Sequence, residues 1–396
     1  MRLLAVSHEA SRTGAVRAFV DALPALRSMS TELTVISKVR GPLVDEMSSG
    51  TQRVIVEPRN RTAQLRRLAR LKYLGWVPPL VERRVALTVL HDLSPDMVYA
   101  STVLSSEYIA AAQKLSIACV LHVHEQQPLT SWALRRAGVR PVGLSVIAPS
   151  SFVAKELELL GSRVVAVLPG PVHVSDVPIA LEEPSPWSAM AHKILVCGSV
   201  APGKGSELVL DLAELLPSLD GRVVEWVWLG AGDTRRAALN AAHRGLAQRV
   251  RFIGERSKVR PFMAYADVLV MPSSQETLGL VALEAAATAT PTVAFSVGGL
   301  PDVLRDSRAL APPGDTRALI QKVVDVLRDD RLRRALLDAS SAVLAEAELT
   351  TWRGKIAAVV EAVFSGALPG GQEHGVGDLR RSQTTSPSHC ASAPPP

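Results

Sequence analysis

Cysteine is scarce in this chain of 396 residues, which holds three, at positions 119, 197 and 390. Their spacing forms neither a disulfide framework nor a metal-binding pattern, which is typical of a protein from a reducing compartment. The sequence also lacks a run of about 18 apolar residues, the length that a membrane-spanning helix requires. Its first apolar run is too short for a signal peptide. These absences predict a cytoplasmic protein.

The net charge of +6 is concentrated in one segment. Between Arg59 and Arg84, eight bases accompany a single acid, Glu82, so this segment carries +7 and the rest of the chain −1. Leucines repeat at every third position between the arginines, which favours a basic helix that docks on an anionic membrane surface, here the inner face. The alternative is a solvated helix whose leucine face packs on its own domain. Nucleic acid is not expected as a partner, because no platform of aromatic residues accompanies the charge.

Short apolar runs alternate with helical runs through most of the sequence. In the first half, the predicted strands are residues 2–7, 34–36, 53–56, 96–100, 118–123, 145–148 and 164–168. After a break rich in proline and acidic residues, the same alternation restarts at residue 192. Such alternation predicts parallel sheets covered by helices on both faces.

We therefore predict an α/β protein with two Rossmann-like domains whose parallel sheets face each other across a cleft. The N-terminal domain is expected at residues 1–176, a linker at 177–190 and the C-terminal domain at 191–350. A last helix is predicted at residues 351–364, and one option is that it packs back on the N-terminal domain. Residues 365–396 are rich in Gly, Pro and Ser and predict a disordered tail without a catalytic part.

Two carboxylates mark the segment 266–301: Glu276 in a predicted loop after a strand and Glu284 in the helix that follows. Ligands of open α/β sheets bind beyond the carboxyl ends of the strands, and free amides near Thr277 and Gly279 would form an anion site there. Glu284 is surrounded by apolar residues, and burying an acid is costly without a partner. Glu284 either accepts hydrogen bonds from a ribose or forms an ion pair with a buried Arg or Lys that only stabilises the fold.

A second candidate site follows the strand predicted at 192–197. Residues from Gly198 to Lys204 fit the G-x-x-x-x-G-K pattern of phosphate loops, but Gly205 stands where that pattern needs a magnesium-binding Ser or Thr. Lys204 can still meet a phosphate as a point charge. The alternatives are a phosphate-loop NTPase, which Gly205 disfavours, and a glycine turn with a solvated lysine.

The N-terminal half contains two more candidates. His122 and His124 alternate with Val123, so we expect them to point to opposite faces of the sheet, one of them towards the cleft. Together with Glu125 they also suggest a metal site, but no third ligand stands nearby at a familiar spacing. The loop at Gly14 suits either close approach to a polar ligand or an ordinary βα turn.

Taken together, these segments resemble the retaining GT-B glycosyltransferases of the GT4 family, also called glycosyltransferase group 1. The resemblance covers about residues 2–364. Its most specific part is PSSQETLGLVALEAAATATPTVAFSVGGLPDVL, which is similar to the family pattern P-S-x-x-E-x-F-G-L-x-x-x-E-A-x-A-x-G-x-P-V-V-A and contains Glu276 and Glu284. VLHVHE resembles the first-domain segment that carries a histidine, with His124 at the matching position. SHEASRTGA resembles the first loop of a subgroup associated with surface polysaccharide and glycoconjugate assembly.

The resemblance implies a GT-B fold and a metal-independent transfer of sugar, with no cofactor. The donor would be a nucleotide diphosphate sugar and the acceptor a glycan or lipid-linked glycan. The implied nucleotide-sugar-binding residues are Glu284, Thr277, Leu278, Gly279, Leu280, Gly198 and Ser199.

The implied catalytic roles follow by position. Lys204 would neutralise the leaving diphosphate, Glu276 would contact the hydroxyls of the donor sugar, and His124 would lie near the reacting carbon. Thr13 and Gly14 would line the acceptor side.

One departure from the family pattern affects the chemistry. Ser199 stands where the family usually has Arg. One of the two positively charged side chains that would contact the diphosphate is therefore missing, unless Arg256 or another basic residue replaces it. This residue motivates an alternative function, a non-catalytic nucleotide-sugar-binding or regulatory GT-B protein. Leu278 in place of the usual Phe is a mild change.

Overall fold

The computed structural model describes residues 1–49, 53–56, 78–174, 181 and 183–367, and elements are numbered along these residues. Most of the basic segment that begins at Arg59 lies outside them, as does the predicted tail from residue 368 onward. Within the described ranges, no helix has the length and apolar character needed to cross a membrane.

Seven parallel strands form the first sheet, in the order β3-β2-β1-β4-β5-β6-β7. They are β1 (Arg2–Ser7), β2 (Glu32–Ser37), β3 (Arg53–Val56), β4 (Met97–Ser101), β5 (Ala118–His122), β6 (Ser145–Ala148) and β7 (Arg163–Val167). In the register, Leu3 of β1 pairs with Leu33 of β2 on one side and Met97 of β4 on the other. The central strands are buried on both faces, as expected for a sheet between two helix layers.

Six described helices cover this sheet. They are α1 (Gly14–Ser28), α2 (Val44–Ser48), α3 (Pro79–Leu93), α4 (Ser106–Leu115), α5 (Leu129–Ala137) and α6 (Ser151–Leu159). The residues of α1 share a core with Leu3 and Ala5 of β1, whereas those of α3 and α4 share one with Leu4 and Val6. Because neighbouring residues of a strand point to opposite faces, α1 and the α3–α4 pair lie on opposite sides of the sheet.

The second sheet has the order β11-β10-β8-β12-β13-β14, all parallel, with the short β9 antiparallel to β10. Its strands are β8 (His192–Cys197), β9 (Ser218–Leu219), β10 (Arg222–Leu229), β11 (Val250–Gly254), β12 (Val268–Met271), β13 (Thr292–Phe295) and β14 (Leu310–Ala311). The helices that follow are α7 (Leu208–Leu215), α8 (Thr234–His243), α9 (Arg260–Tyr265), α10 (Leu280–Ala286), α11 (Leu300–Leu304), α12 (Thr316–Arg328), α13 (Asp330–Ala347) and α14 (Leu349–Ser365). Two parallel α/β sheets confirm the predicted fold class.

Part of the segment predicted as a linker, 177–190, packs in the second core. Trp187 is 4% exposed, and its indole Nε1 donates a hydrogen bond to the backbone oxygen of Ile194 at 3.3 Å. A large aromatic side chain gains most by leaving water, and here the nearest apolar surface is the sheet that follows. The packed structure of the second domain therefore begins before residue 191.

The last helix, α14, packs against α1 of the first domain. Trp352, Ile356 and Val360 are fully buried in the same core as Phe19 of α1. The Arg353 Nε donates to a backbone oxygen of α1 at 2.7 Å. The chain thus leaves the second domain and completes the first one.

The two domains also meet next to the loop that precedes α10. The Ser150 Oγ, at the start of α6, donates to the backbone oxygen of Thr277 at 2.6 Å. Ser151 donates to both carboxylate oxygens of Asp302, through its backbone N–H at 2.6 Å and its Oγ at 2.7 Å. These bonds hold the amino end of α6 against the second domain.

We predict that Trp352→Ala destabilises the N-terminal domain. The side chain is fully buried, and truncating a buried Trp typically costs about 3–5 kcal/mol. Urea denaturation followed by circular dichroism measures the loss. Thr351→Ala, on the exposed face of the same turn, is the matched control. Equal stability of the two variants would show that α14 contributes little to the first core.

Candidate active site

The loop between β12 and α10 brings Glu276 against Lys204. Glu276 is 8% exposed, and its Oε1 accepts hydrogen bonds from the Lys204 Nζ at 2.6 Å and the Ser273 Oγ at 2.9 Å. Lys204 follows β8, which pairs with β12 in the sheet. Since the carboxyl ends of parallel strands meet at one edge, two candidate loops that are distant in sequence form one site.

Two glycines permit this close approach. Gly205 has a φ of +80°, and a Cβ atom there would lie 2.4 Å from the backbone oxygen of Pro272. Gly298 has a φ of +53°, and its Cβ would lie 1.6 Å from the backbone oxygen of Glu276. Only glycine combines a left-handed φ with such contacts. Position 205 therefore cannot hold the Ser or Thr of a phosphate loop, which argues against the NTPase alternative.

Glu284 lies half-buried on α10 without a partner for its carboxylate. Within the described ranges, its side chain makes no hydrogen bond and no ion pair. Burial raises the pKa of Glu284 to about 7, and the nearby Arg260 and His173 oppose that shift. The buried ion pair, one of the two predicted alternatives, is not present among these residues. The carboxylate keeps its hydrogen-bonding capacity for a ligand.

The end of β8 connects Glu284 to the Lys204 loop. Burial raises the pKa of the Cys197 thiol, and the charge of Glu284 raises it further, so the two residues are neighbours. A Cβ atom at Gly198 would lie 3.7 Å from the aliphatic chain of Lys204. Gly198, Lys204, Glu276 and Glu284 thus belong to one edge of the second sheet.

The helix α10, which carries Glu284 as predicted, begins only at Leu280. Gly279 before it has a φ of +95°, which is incompatible with a right-handed helix. The backbone N–H groups of Thr277, Leu278 and Gly279 precede the helix and have no partner among the described residues. They remain available to an acceptor such as a phosphate oxygen.

Arg260 is a site residue that the sequence motifs did not indicate. Its Nε and Nη2 atoms are buried and have no hydrogen-bond partner in the described part of the chain. These atoms form one edge of the guanidinium group, whose parallel N–H bonds suit a bidentate acceptor such as phosphate. The group is also close enough to Glu284 to affect its pKa. A single arginine at the start of a helix matches no sequence motif, so Arg260 is recognised only from its buried, unpaired donors in the folded structure.

Arg260 is a better substitute than Arg256 for the charge that Ser199 lacks. Ser199 is exposed. Arg256 is bound to Glu183, with an Nε–Oε1 distance of 2.8 Å, and its Nη1 donates to two backbone oxygens. The donors of Arg256 are therefore occupied, whereas one edge of Arg260 is not.

The prediction that His122 and His124 point to opposite faces is wrong. Their ring centroids are 4.2 Å apart. Residues two apart in an extended segment point to the same side, so the alternation with Val123 itself brings the two rings together. The His122 Nδ1 shares a hydrogen bond of 2.6 Å with the Tyr99 hydroxyl, whereas the His124 Nε2 is buried without a partner among the described residues.

Burial, together with a smaller effect of the nearby His8, lowers the pKa of His124 to about 4, so the ring is neutral at pH 7. The backbone N–H of His124 donates to the Glu125 carboxylate at 3.1 Å, and the His8 Nδ1 shares a hydrogen bond of 3.1 Å with the Thr102 Oγ1. In the ranges that the structure covers, no three His, Cys, Asp or Glu side chains cluster so as to hold a metal ion.

The predicted acceptor loop lies against the donor-side helix. Gly14 is the first residue of α1, and a Cβ there would lie 3.8 Å from the Leu280 Cδ2. A Cβ at Gly170 would lie 3.3 Å from the Leu280 Cδ1. Thr13 occupies the N-cap of α1, but its side chain makes no capping hydrogen bond. Leu280 therefore connects the two sides of the cleft.

We predict that Glu284→Gln stabilises the fold in a pH-dependent way. The folded carboxyl has a pKa of about 7 against an ordinary 4.5, so the fold binds this proton more tightly than the unfolded chain does. The wild type therefore loses stability as pH rises from about 4.5 to above 7. At about 1.4 kcal/mol per pH unit, the variant should be more stable by up to roughly 3 kcal/mol at about pH 8, with no gain near pH 4.

Urea denaturation at both pH values measures this effect. Glu361→Gln, an exposed position on α14, is the control and should show no such pH dependence. The same change in stability at acidic and alkaline pH would contradict the prediction.

Residues 191–329 match the family described as Glycosyl transferases group 1. A D-inositol 3-phosphate glycosyltransferase of Jonesia denitrificans is 34% identical over 154 residues, which are 36% of this chain and 36% of that protein. A phosphatidyl-myo-inositol mannosyltransferase of Mycobacterium leprae is 29% identical over 280 residues, covering 62% of this chain and 73% of that protein. Anabaena HepE, in a crystal structure with UDP and glucose, is similar with a TM-score of 0.70 and 20% identity, over 91% of this chain and 100% of HepE.

The matched segment runs from β8 to α12 and contains Lys204, Glu276 and Glu284. The match spans little more than a third of the length of the Jonesia protein. The expected GT-B fold and the expected relation to glycosyltransferase group 1 are both confirmed. The chain thus has the GT-B fold, and its residues 191–329 match the glycosyl transferases group 1 family.

Proposed function

We propose that this protein is a retaining, metal-independent glycosyltransferase that moves a sugar from a nucleotide diphosphate donor to an acceptor hydroxyl, in surface polysaccharide or glycoconjugate assembly. The observation that carries the proposal is the edge of the second sheet, where the unpaired Glu284 carboxylate lies near the Lys204–Glu276 pair. A nucleotide sugar offers what this edge lacks: ribose hydroxyls for Glu284 and an anionic diphosphate for Lys204. The glycosyltransferase and mannosyltransferase named above as relatives, and the UDP and glucose bound to HepE, support this choice of ligand.

Donor binding would exchange one ion pair for another. Without a ligand, Glu276 neutralises Lys204 at 2.6 Å. A diphosphate beside Lys204 would take over that charge, and the Glu276 carboxylate would then accept hydrogen bonds from the sugar hydroxyls. The free amides of Thr277 to Gly279 and the unpaired edge of Arg260 would donate to phosphate oxygens. Fixed donors aimed at developing negative charge are usually the largest catalytic contribution.

His124 would lie on the acceptor-facing side of the reacting carbon. Its ring is neutral at pH 7, and its Nε2 has no partner among the described residues. A neutral imidazole can exchange one hydrogen bond with a sugar hydroxyl without adding a charge that competes with the departing diphosphate.

Metal independence belongs to the same proposal. The residue after Lys204 is Gly205, whose neighbour Pro272 leaves no room for a side-chain ligand. Lys204 and Arg260 can supply positive charge at the diphosphate instead, as cations fixed by the fold.

A non-catalytic protein that binds a nucleotide sugar is the second candidate. It is favoured by Ser199, which is exposed and uncharged, and by Arg256, whose donors are occupied by Glu183 and the backbone. Donor binding without turnover would identify this case.

Docking on an anionic membrane surface through residues 59–84 also stays a proposal, since residues 57–77 lie outside the described ranges. Its support is the charge of +7. Arg83, within this segment, donates to the backbone oxygen of Arg136 at 2.9 Å and so holds part of it on the first domain. Co-sedimentation with anionic vesicles, and its loss when Arg66, Arg67 and Arg70 become Gln, tests the proposal.

We predict that Lys204→Met lowers kcat by about 100- to 1000-fold, the usual effect of removing one group that stabilises developing charge. Release of nucleoside diphosphate from a panel of nucleotide sugars, with EDTA present, measures turnover. Lys204→Arg should retain part of the activity, and Lys155→Met, on the exposed face of α6, should retain all of it. Unchanged turnover in Lys204→Met contradicts the assigned role. Activity that appears only after a divalent ion is added contradicts the metal-free mechanism.

We predict that Arg260→Gln weakens binding of nucleoside diphosphate by about 10- to 100-fold, because hydrogen bonds to charged groups contribute about 1.5–3 kcal/mol. Calorimetric titration of the nucleotide provides the measurement. Arg256→Gln is the control and should bind normally. Introducing Ser199→Arg into the Arg260→Gln protein should recover affinity if the two positions supply the same charge. Normal affinity in Arg260→Gln would refute the role of this residue.

A further inference from the structure

His122, the last residue of β5, is a deeply buried histidine to which the proposed reaction gives no role. Its side chain is 2% exposed. Val120, two residues earlier on the same strand, belongs to the core shared with α1 and α14, so His122 faces the same helix layer. An imidazole in this place costs free energy unless its nitrogen atoms find partners, whereas an apolar side chain would fill the space without that cost.

The Tyr99 hydroxyl fixes the His122 ring from one side. Tyr99 is fully buried on β4, and its hydroxyl lies 2.6 Å from the His122 Nδ1. Burial raises the pKa of Tyr99 and lowers the pKa of His122, so both groups are neutral. Among the described residues, Nδ1 is the acceptor that the buried phenol O–H reaches, so the phenol donates and the ring hydrogen of His122 stays on Nε2. This hydrogen bond selects one tautomer and one rotation of the ring.

Trp352 of α14 packs against the same ring. The centroids of Trp352 and His122 are 6.2 Å apart, with the ring planes inclined by 33°. Trp352 is fully buried, so its indole is fixed by the core around it. The His122 ring is therefore held by a hydrogen bond from β4 and by an aromatic contact with the last helix.

His124 lies on the ring that these contacts hold. The centroids of His122 and His124 are 4.2 Å apart, and their planes are inclined by 37°. At this distance the two faces touch, so the His124 ring cannot turn freely while His122 stays in place. In the described part of the chain, no hydrogen bond holds the His124 ring itself, and its Nε2 is buried without a partner.

We propose that His122 is a positioning residue of the transfer reaction, which holds the His124 ring in one orientation towards the donor sugar and is itself held by Tyr99 and Trp352. The inference rests on the proposed function, which places His124 near the reacting carbon. Misplacing a reacting group by about 1 Å can lower the rate as much as about 100-fold. Because Trp352 belongs to the helix that returns from the second domain, the docking of α14 would also affect the orientation of His124.

Tyr99→Phe tests the hydrogen bond without removing a ring from the core. We expect kcat to fall by about 3- to 10-fold, the effect of one lost hydrogen bond. UDP-glucose and GDP-mannose are the donors, and release of nucleoside diphosphate measures turnover. Calorimetric affinity for UDP and GDP should not change, because the implied nucleotide-binding residues lie on the second domain. Tyr108→Phe is the matched control, since Tyr108 is also buried but belongs to the core on the opposite face of the sheet.

Two substitutions of His122 separate the ring contact from the hydrogen bond. His122→Ala removes both and should lower kcat by about 10- to 100-fold. His122→Phe keeps a flat ring beneath His124 and should recover a large part of that loss. Thermal melting verifies that each variant is folded, and Tyr99→Phe decides the outcome where His122→Ala does not fold.

NMR of protein labelled with isotopes in its nine histidines reports the ring positions without any turnover. Signals missing from His122→Phe and from His124→Ala identify the two rings. The wild type should show His122 as the Nε2–H tautomer. Tyr99→Phe should shift the signals of both His122 and His124, whereas Tyr108→Phe should shift neither.

Normal kcat in both Tyr99→Phe and His122→Phe, together with normal kcat in a folded His122→Ala, would overturn the inference. So would an equal loss of kcat in Tyr99→Phe and Tyr108→Phe, or His124 signals that do not respond to Tyr99→Phe. Failure of the wild type to use any nucleotide sugar contradicts the proposed function instead. In that case the NMR comparison still decides whether Tyr99 and His122 orient the His124 ring.

Discussion

The ion pair between Lys204 and Glu276 is the interaction on which the candidate site depends. It joins the loops after two neighbouring strands, β8 and β12, at the edge of the sheet. A buried carboxylate without a cation would cost several kcal/mol, so the pair keeps both loops in place. The left-handed glycines at 205 and 298 are consequences of the same contact, since any Cβ there would separate the loops. A ligand that offers its own anion can replace one partner without leaving a buried charge unpaired.

The other polar groups of the site have the opposite property, because they are buried and unpaired among the described residues. Glu284 has no ion pair, Arg260 has two unbonded nitrogen atoms and His124 has one. Each such group lowers the stability of the fold, and groups of this kind concentrate where a ligand completes the hydrogen bonding. The raised pKa of Glu284 and the lowered pKa of His124 share burial as their main cause. A ligand that completes the hydrogen bonding of these groups would therefore stabilise the fold.

The sequence predicted the fold class well, because buried parallel strands leave continuous apolar runs and loops between them leave Gly, Pro and Ser. It also predicted Lys204, Glu276 and Glu284 as candidates, since the loop at the end of a strand is a local feature. The prediction that His122 and His124 point to opposite faces misapplied the strand period, because residues two apart in an extended segment point to the same side. Arg260 was missed for a different reason. Its buried, unpaired donors arise from which groups lie around it after folding, and no spacing along the chain encodes an unpaired donor.

The contact between the domains connects the donor loop to the acceptor side. The Ser150 Oγ donates to the backbone oxygen of Thr277, the residue next to Glu276, and Leu280 lies between Gly14 and Gly170. A movement of the first domain would therefore displace the backbone amides that precede α10 and the carboxylate of Glu276. Since α14 returns to pack on α1, the first domain is also tied to the end of the second by covalent chain. In the proposed reaction, the same few contacts between the domains would align a donor and an acceptor on opposite sides of the cleft.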